Sequence, residues 1–387
     1  MKPLVLFVIL ASASARAGLE PLGVHVDIRC HFTGGEWSCD LKTNGPAFEA
    51  NAAFLPLADR AHVNGNPALS GARHTQPPSA AFAFTGAPVG QPLWIAVQGT
   101  PGIGEAWPGA RNDQPEGTFG SYIPADTRVS QSTARPWIRL TLVGYQPPHG
   151  TDSHFSMWNT TTGQPPNVWM STFDTAVENT YYFAAGSHTH AAIGFTAQGI
   201  HRVTLRASAF LGPGETNPTG PSEPFTLIFA VGTTARWQGE SFEAAQLADP
   251  DVSSLAADPD TDGIPNVLEY AFGTEPLQGG PIPAAEGLGM PVFSLVKEGG
   301  TLYQTLTYPR RRAGSRVLPE TYQPWFSDNL DGTWSTVGVT TTAGDFPTGQ
   351  SALNAVWEKV TSRRPALEAD AKGFARIGVT AGDGFPQ

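Results

Sequence analysis

The residues best suited to chemistry in this 387-residue chain are the oxygen-bearing side chains of one acidic segment, DPDTDGIPNVLE, at residues 258–269. Carboxylates at loop positions 1, 3 and 5, a Gly at 6 and a Glu at 12 match the calcium-loop pattern D-x-[DN]-x-[DN]-G-x5-E. Ca²⁺ takes several hard oxygen ligands, and this spacing supplies them from a single segment. The predicted ligands are Asp258, Asp260, Asp262, the Ile264 carbonyl, Asn266 and Glu269. The alternative is a solvated acidic turn that precedes a short helix over residues 266–272, ended by Gly273.

Histidines form a second candidate site. His188 and His190 make an H-x-H pair, and His25 and Asp27 have the same spacing. Residues i and i+2 of a strand point to the same side, so each pair can present two ligands to one ion. If the two strands are neighbours, the four side chains predict a zinc-type site. Otherwise the two histidines of the H-x-H pair lie at a polar rim and form hydrogen bonds with backbone groups. His201 lies on the apolar side of its strand and is predicted to be a core residue.

The only cysteines of the sequence, Cys30 and Cys39, fall on a predicted β-hairpin. Strand-like alternation over residues 24–32 and 37–41, with a Gly-rich turn between, places the two cysteines opposite each other. A cross-strand disulfide is then geometrically possible, and an exported location favours it. Because the closed loop is short, the bridge would fix the register of the hairpin more than it would add stability.

The N-terminus has the pattern of an export signal. Lys2 precedes an apolar run at residues 3–11 and an A-x-A site at residues 15–17, which predicts a signal peptide over residues 1–17. No later run is long and apolar enough for a transmembrane helix. We therefore expect an extracytoplasmic protein in the periplasm, at the cell surface or outside the cell.

The composition favours strands joined by many turns. The chain has 43 Gly and 35 Pro, only 15% charged residues and a net charge of -11, which argues against nucleic-acid partners. An all-β fold is predicted: a β-sandwich of antiparallel strands, immunoglobulin-like or jelly-roll-like, over residues 18–232; a linker with one short helix before the calcium loop over residues 233–287; and a smaller β domain over residues 288–387.

The predicted strands follow from apolar alternation between turn residues. In the first region they are residues 24–32, 37–41, 93–98, 137–145, 153–158, 180–183, 200–210 and 225–231. In the last region they are residues 293–296, 301–308, 323–326, 334–340 and 374–379.

Segments of the N-terminal region resemble, in order, the choice-of-anchor M domain of bacterial surface-anchored proteins. They are GVHVDI at 23–28, FTGAPVGQPLW at 84–94, GSHTH at 186–190, FTAQGIHRV at 195–203 and FAVG at 229–232. The resemblance implies an extracytoplasmic domain associated with metal-type ABC transporters. It places His25 and Asp27, with His188 and His190, at matching H-x-D and H-x-H positions. The chain departs from the family at residues 192–193, which are Ala-Ile instead of Asn-Trp, and at His201, where a Tyr is usual.

The acidic segment and several segments after it are similar to a C-terminal module of exported bacterial proteins. The similarity includes residues 258–276, 308–312, 327–330 and Trp334. That module joins dockerin-like or thrombospondin type 3-like calcium loops to a small β domain. The similarity implies an exported location and calcium binding, without implying an activity.

No catalytic signature stands out in the sequence: G-x-S-x-G, H-E-x-x-H and phosphate-binding Gly loops are all missing. The prediction is a non-catalytic exported binding protein with a zinc-type site and a structural calcium loop, whose partners are cell-surface components or a metal ABC transporter system. The alternative is a carbohydrate- or protein-binding adhesion module with structural histidines and exposed contact residues among Trp94, Trp107, Trp158 and Trp169. A glycosidase needs only two suitably placed carboxylates, and the loops of this chain contain many, so glycoside hydrolysis is a further alternative.

Overall fold

The computed structural model describes residues 18–285, 287–311, 321–327, 333–343, 353–354, 356–366 and 373–380. Strands make up 43% of the structure and helices only 10%, which confirms the predicted all-β class. Within these ranges, no helix is both long enough and apolar enough to cross a membrane. The predicted signal peptide at residues 1–17 lies outside the described residues, as do residues 312 and 328–330 of the C-terminal resemblance.

Strands β1 to β17 build the N-terminal region, with two short 3-10 helices at Ala80–Thr85 and Glu116–Thr118. The strands are β1 (Glu20–Pro21), β2 (His25–Thr33), β3 (Glu36–Thr43), β4 (Ala47–Phe48), β5 (Ala53–Leu57), β6 (Arg73–Thr75), β7 (Pro92–Ala96), β8 (Trp107–Arg111), β9 (Trp137–Gln146), β10 (Phe155–Asn159), β11 (Asn167–Ser171), β12 (Thr180–Ala184), β13 (His188–His190), β14 (Ala192–Phe195), β15 (Gly199–Gly212), β16 (Thr216–Pro218) and β17 (Phe225–Val231).

These strands form three sheets. The large sheet has the order β1-β5-β17-β15-β9-β12, with β16 attached to β15. The second sheet is β11-β10-β14-β7-β6, and the third is β13-β8-β2-β3-β4. One hydrophobic core joins all three sheets, since it contains Ile28 of β2, Phe195 of β14 and Leu205 of β15. The arrangement is β-sandwich-like, as the recurring alternation predicts.

The pairing differs from the prediction in one respect, because some strand pairs are parallel. β1 pairs with β5, β5 with β17 and β2 with β8 in parallel, whereas only antiparallel pairs were expected. All five residues of β5 are buried, which is typical of a strand covered on both faces. The β5–β17 and β2–β8 partners lie far apart in the chain, so local alternation cannot reveal their direction.

The β2–β3 hairpin has the predicted register. Phe32 pairs with Trp37 and Cys30 pairs with Cys39. The two-residue loop is Gly34-Gly35, with φ of +66° and +92°, the left-handed conformation that a tight hairpin turn requires. The sequence therefore sets this register locally.

The predicted linker begins as a helical layer on the large sheet. It contains α1 (Thr233–Ser241), α2 (Ala244–Leu247), α3 (Pro250–Ser253) and, after the acidic loop, α4 (Asn266–Phe272). Three of these helices precede the acidic loop, where the sequence predicted one. Ala235, Phe242 and Leu247 pack with Phe54 and Ile228 of the sheet in a second hydrophobic cluster, so this segment packs on the N-terminal region. Helix α4 has the predicted bounds and ends at Gly273, with φ of +72°.

The C-terminal region has its own core. Its strands are β18 (Val292–Glu298), β19 (Thr301–Arg311), β20 (Thr321–Ser327), β21 (Thr340–Ala343), β22 (Trp357–Pro365) and β23 (Phe374–Thr380). They form the sheet β18-β19-β22-β21 and the pair β20-β23, and Phe272 of α4 packs with Tyr308, Phe326 and Val360. The predicted strand over residues 334–340 is wrong. Only a bridge at Ser335 forms there, and Gly338, with φ of +73°, interrupts the extended chain before β21.

Candidate metal centres

The histidine site is assembled by three strands of the third sheet. The zinc-type site was predicted on the condition that the strands of His25 and His190 are neighbours. Instead β8 lies between them, parallel to β2 and antiparallel to β13. The register aligns Asp27 with Gly109 and Gly109 with His190 in one row across the sheet. Because Gly109 has no side chain, the ligand side chains on either side of it can meet above β8.

The three imidazoles meet through their Nε2 atoms. His25 Nε2 lies 3.0 Å from His188 Nε2 and 3.2 Å from His190 Nε2. Asp27 Oδ1 lies 3.0 Å from His188 Nε2 and 3.6 Å from His25 Nε2. Donor atoms about 2.0–2.1 Å from a tetrahedral zinc ion lie about 3.3 Å from one another. The spacing of the four atoms fits a tetrahedral site with three nitrogens and one oxygen.

Hydrogen bonding fixes which nitrogen of His190 is free. His190 Nδ1 lies 3.0 Å from the Pro108 carbonyl oxygen, which can only accept, so Nδ1 carries the proton and Nε2 of the neutral ring holds a lone pair. Asp27 Oδ1 also offers only lone pairs when ionised. The Nε2 atoms of His25 and His188 carry at most one proton each. Two protons cannot supply a hydrogen bond to each of the four close contacts among these atoms. One cation at the centre would satisfy all four donor atoms.

The carboxylate of Asp27 is buried without adequate partners. The residue is 1% exposed, and neither oxygen has a hydrogen-bond donor of sound geometry in the part of the chain that is described. The nearest permanent cation is Arg111, whose Nη1 lies 3.8 Å from Oδ2. An ionised group in such surroundings is costly unless a positive charge compensates it. The environment of Asp27 therefore fits a bound cation.

Aromatic packing and burial complete the site. Trp107 stacks on His190 with ring centroids 4.3 Å apart and meets His25 edge-on at 5.1 Å. Burial is the main cause that lowers the pKa of His190, which favours the neutral form that a ligand needs. The side chain of His188 is 43% exposed, so the site is open to solvent on that side. Sequence reasoning did not identify Gly109 or Arg111, and it considered Trp107 as a glycan contact or as a core or loop anchor, not as part of a metal site.

The acidic loop has the predicted turn. Asp258, Asp260 and Asp262 bring carboxylate oxygens within 4.8 Å of one another. Asp258 Oδ2 accepts from Gly263 N at 2.9 Å, and Asp262 Oδ1 accepts from Ile264 N at 2.7 Å. Gly263 has φ of +89°, which a sharp turn at this position requires. Ligation by the Ile264 carbonyl stays a prediction.

Two further predicted ligands are fully buried beside this loop. Asn266 donates from Nδ2 to the carbonyls of Val252 and Ser254, both at 2.8 Å, and its Oδ1 has no donor. Glu269 Oε2 and Asp260 Oδ2 also lack donors within the described ranges. Burial, followed by the charge of Asp260, raises the pKa of Glu269 to about 7. Buried oxygens without donors, next to three carboxylates, suit a hard cation such as Ca²⁺.

The remaining predicted residues occupy separate positions. Cys30 and Cys39 are opposite each other in the β2–β3 register, as predicted, with Sγ atoms 3.2 Å apart. The disulfide between them stays a prediction. His201 is fully buried, as predicted: its Nε2 donates to the Ala197 carbonyl and its Nδ1 accepts from the Tyr145 hydroxyl, both at 2.9 Å. Three of the four candidate contact tryptophans are buried, at 6%, 2% and 5% exposure, so they offer no exposed aromatic platform; they are Trp94, Trp158 and Trp169.

Comparison with known proteins adds no family assignment, because neither a scan against protein-family models nor a search of curated proteins finds a match. The resemblances to the choice-of-anchor M domain and to dockerin-like calcium modules stay predictions. The geometry of the two sites is therefore the basis for any functional assignment.

Proposed function

We propose that this chain is a non-catalytic, extracytoplasmic metal-binding protein whose N-terminal domain holds a zinc-type ion at His25, Asp27, His188 and His190. The observation that carries the proposal is the convergence of three imidazole Nε2 atoms and one carboxylate oxygen, with the close pairs 3.0–3.6 Å apart. Zn²⁺ favours tetrahedral shells of nitrogen, sulfur and oxygen donors. The mixed imidazole and carboxylate set suits Zn²⁺ better than Ca²⁺ or Mg²⁺.

Four protein donors favour binding over catalysis. A catalytic zinc site keeps a coordination position for water or substrate, usually beside three protein ligands. Here Asp27 Oδ1 lies close enough to His188 and His25 to take the fourth position. The role that fits this shell is to hold the ion, either as a structural centre or as cargo.

The acidic loop is proposed to hold Ca²⁺ as a structural ion. Support comes from the carboxylate group of Asp258, Asp260 and Asp262, together with the donor-free oxygens of Asn266 and Glu269. The chain offers this site at the start of α4, whose other end belongs to the C-terminal core. The bound ion would fix the entry to that helix.

The proposed location rests on the sequence of residues 1–17, which has the signal-peptide pattern. An oxidising compartment would also favour a Cys30–Cys39 disulfide. In that compartment the proposed partners are cell-surface components or a metal ABC transporter system, as the family resemblance implies.

Elemental analysis tests both sites at once. The mature protein, purified without chelator, is compared with the double variant His188→Ala/His190→Ala. We expect about one equivalent of zinc in the wild type, lost in the variant, with calcium equal in both proteins. Calcium alone in both proteins would overturn the zinc proposal. Zinc retained by the variant would show that other residues bind the ion.

A further inference from the structure

Strand β8 supplies none of the four donors, yet it contacts or faces all of them. Its residues Trp107, Gly109 and Arg111 alternate with the intervening residues and lie on the face of the sheet that carries the histidines. We infer that β8 is the positioning element of the histidine site and that Gly109 determines whether the four donors can converge. This inference rests on the proposed metal-binding function.

The space above Gly109 is filled by the ligands themselves. A Cβ atom at this position would lie 2.4 Å from Asp27 Oδ1, 3.0 Å from His190 Cε1 and 3.0 Å from the Thr189 carbonyl. Ordinary contacts between carbon atoms begin near about 3.5 Å, so two ligand side chains would have to move. Even an alanine methyl at this position would push the Asp27 oxygen out of the cluster.

The backbone of Gly109 does not itself demand glycine. Gly109 is not among the residues with positive φ, so an L-residue can adopt its conformation. The requirement for glycine is therefore spatial and is centred on the ligands. Substitution should damage the site before it damages the strand.

Two neighbours of Gly109 on β8 orient His190. The Pro108 carbonyl accepts from His190 Nδ1 at 3.0 Å, which leaves Nε2 free for an ion. Trp107 stacks on the same ring and limits its rotation. A hydrogen bond that the second nitrogen of a ligand histidine donates to a backbone carbonyl is a common way to fix the tautomer and plane of the ring.

Arg111 positions the carboxylate. Its Nη1 lies on the Oδ2 side of Asp27 at 3.8 Å, while Oδ1 faces the histidines. The guanidinium also pairs with Asp113 through Nε, which holds it beside the site. This arrangement compensates one oxygen of Asp27 and leaves the other for the ion.

The decisive test compares Gly109→Ala with Gly99→Ala, a loop glycine with open space around its Cβ position and no positive φ. Zinc affinity is measured by competition with a chromophoric chelator. Co²⁺ spectra report whether the bound ion is four-coordinate. If Gly109 mattered only for the stability of the fold, the coordination number in the folded variant would not change. We expect Gly109→Ala to bind zinc about 10- to 100-fold more weakly and to lose the intense four-coordinate Co²⁺ bands, while Gly99→Ala matches the wild type.

The fold of each variant is checked separately, in chelator, by circular dichroism. A second variant tests the inference if Gly109→Ala does not fold. Arg111→Gln changes a side chain that is 38% exposed, and we expect it to weaken zinc binding about 10-fold with an unchanged fold. Wild-type affinity and Co²⁺ spectra in a folded Gly109→Ala would overturn the inference, as would wild-type affinity in Arg111→Gln. If the wild-type protein itself binds neither Zn²⁺ nor Co²⁺, the proposed function fails and the inference fails with it.

Discussion

Asp27 is the residue whose surroundings most clearly favour a bound cation. Its carboxylate is buried on a strand, with Arg111 as the nearest permanent positive charge at 3.8 Å. Without an ion, the buried charge of Asp27 therefore destabilises the folded chain.

Asp27→Asn separates the two contributions of this residue. The amide keeps the shape of the side chain and removes its charge, so we expect zinc affinity to fall at least about 10-fold. In chelator at about pH 8, the variant should melt at or above the temperature of the metal-free wild type, because a buried and only partly compensated charge has been removed. Calorimetry with and without zinc measures both effects, and a metal-free variant much less stable than the wild type would contradict this account.

His201 and His74 predict how stability depends on pH. Burial lowers the pKa of His201 to about 3 and that of His74 to about 4, while both titrate near about 6.5 in the unfolded chain. The unfolded state therefore binds more protons between these values, and the free energy of unfolding falls as the pH drops below about 6.5.

The variant His201→Gln should show a smaller loss of stability on acidification than the wild type. Urea unfolding in chelator, at about pH 7 and about pH 5, measures the difference between the two proteins. Equal losses in wild type and variant would show that His201 does not contribute to this pH dependence.

At the scale of elements, the sequence identifies the four proposed ligands but not the strand between them. The two-residue period of a strand is enough to pair His25 with Asp27 and His188 with His190. Strand β8 escapes prediction because Pro108 and Gly109 are residues that normally exclude a strand interior. The order β13-β8-β2 depends on contacts between distant segments, which no local pattern contains.

The β2–β3 hairpin illustrates the opposite case, because its turn and its alternation both lie within one short segment. The same register lets a disulfide be predicted between Cys30 and Cys39, on the face of β2 that lies opposite His25 and Asp27. Material exported to an oxidising compartment should show this crosslink in peptide mass spectrometry.

Reduction of that disulfide should lower the free energy of unfolding by at most about 2–3 kcal/mol, because the closed loop is short. Denaturant unfolding with and without reductant measures the change, with Cys30→Ser/Cys39→Ser as the matched variant that reductant leaves unaffected. Two titratable thiols in the denatured exported protein would contradict the prediction.

At the scale of the whole molecule, the acidic loop stands at the junction of the two β regions. On one side Asn266 donates to the carbonyls of Val252, which lies in α3, and of Ser254, which directly follows α3. On the other side the Tyr322 hydroxyl donates to the Ala271 carbonyl at 2.8 Å and Arg311 lies over the Tyr270 ring at 4.2 Å. Composition and motifs predict an all-β chain with a calcium loop between two regions, but the packing of the preceding helices on the first region depends on tertiary contacts.

Calcium should therefore stabilise this junction. Glu269→Gln removes one buried carboxylate of the proposed shell, and we expect calcium affinity to fall at least about 10-fold, with faster proteolysis between residues 254 and 266 at limiting calcium. Glu223→Gln, which changes an exposed carboxylate far from the loop in sequence, is the matched control. If chelation leaves the cleavage rate of the wild type unchanged, calcium does not hold the junction together.

The most direct test of the central claim is zinc K-edge X-ray absorption on the mature protein as purified. We predict a first shell of nitrogen and oxygen atoms at about 2.0–2.1 Å, with the outer-shell scattering of three imidazole rings, and a signal that disappears in His188→Ala/His190→Ala. Sulfur at about 2.3 Å would assign the ion to the cysteines instead. That result, or the lack of bound zinc in protein kept free of chelator, would contradict the assignment of His25, Asp27, His188 and His190 as a metal centre.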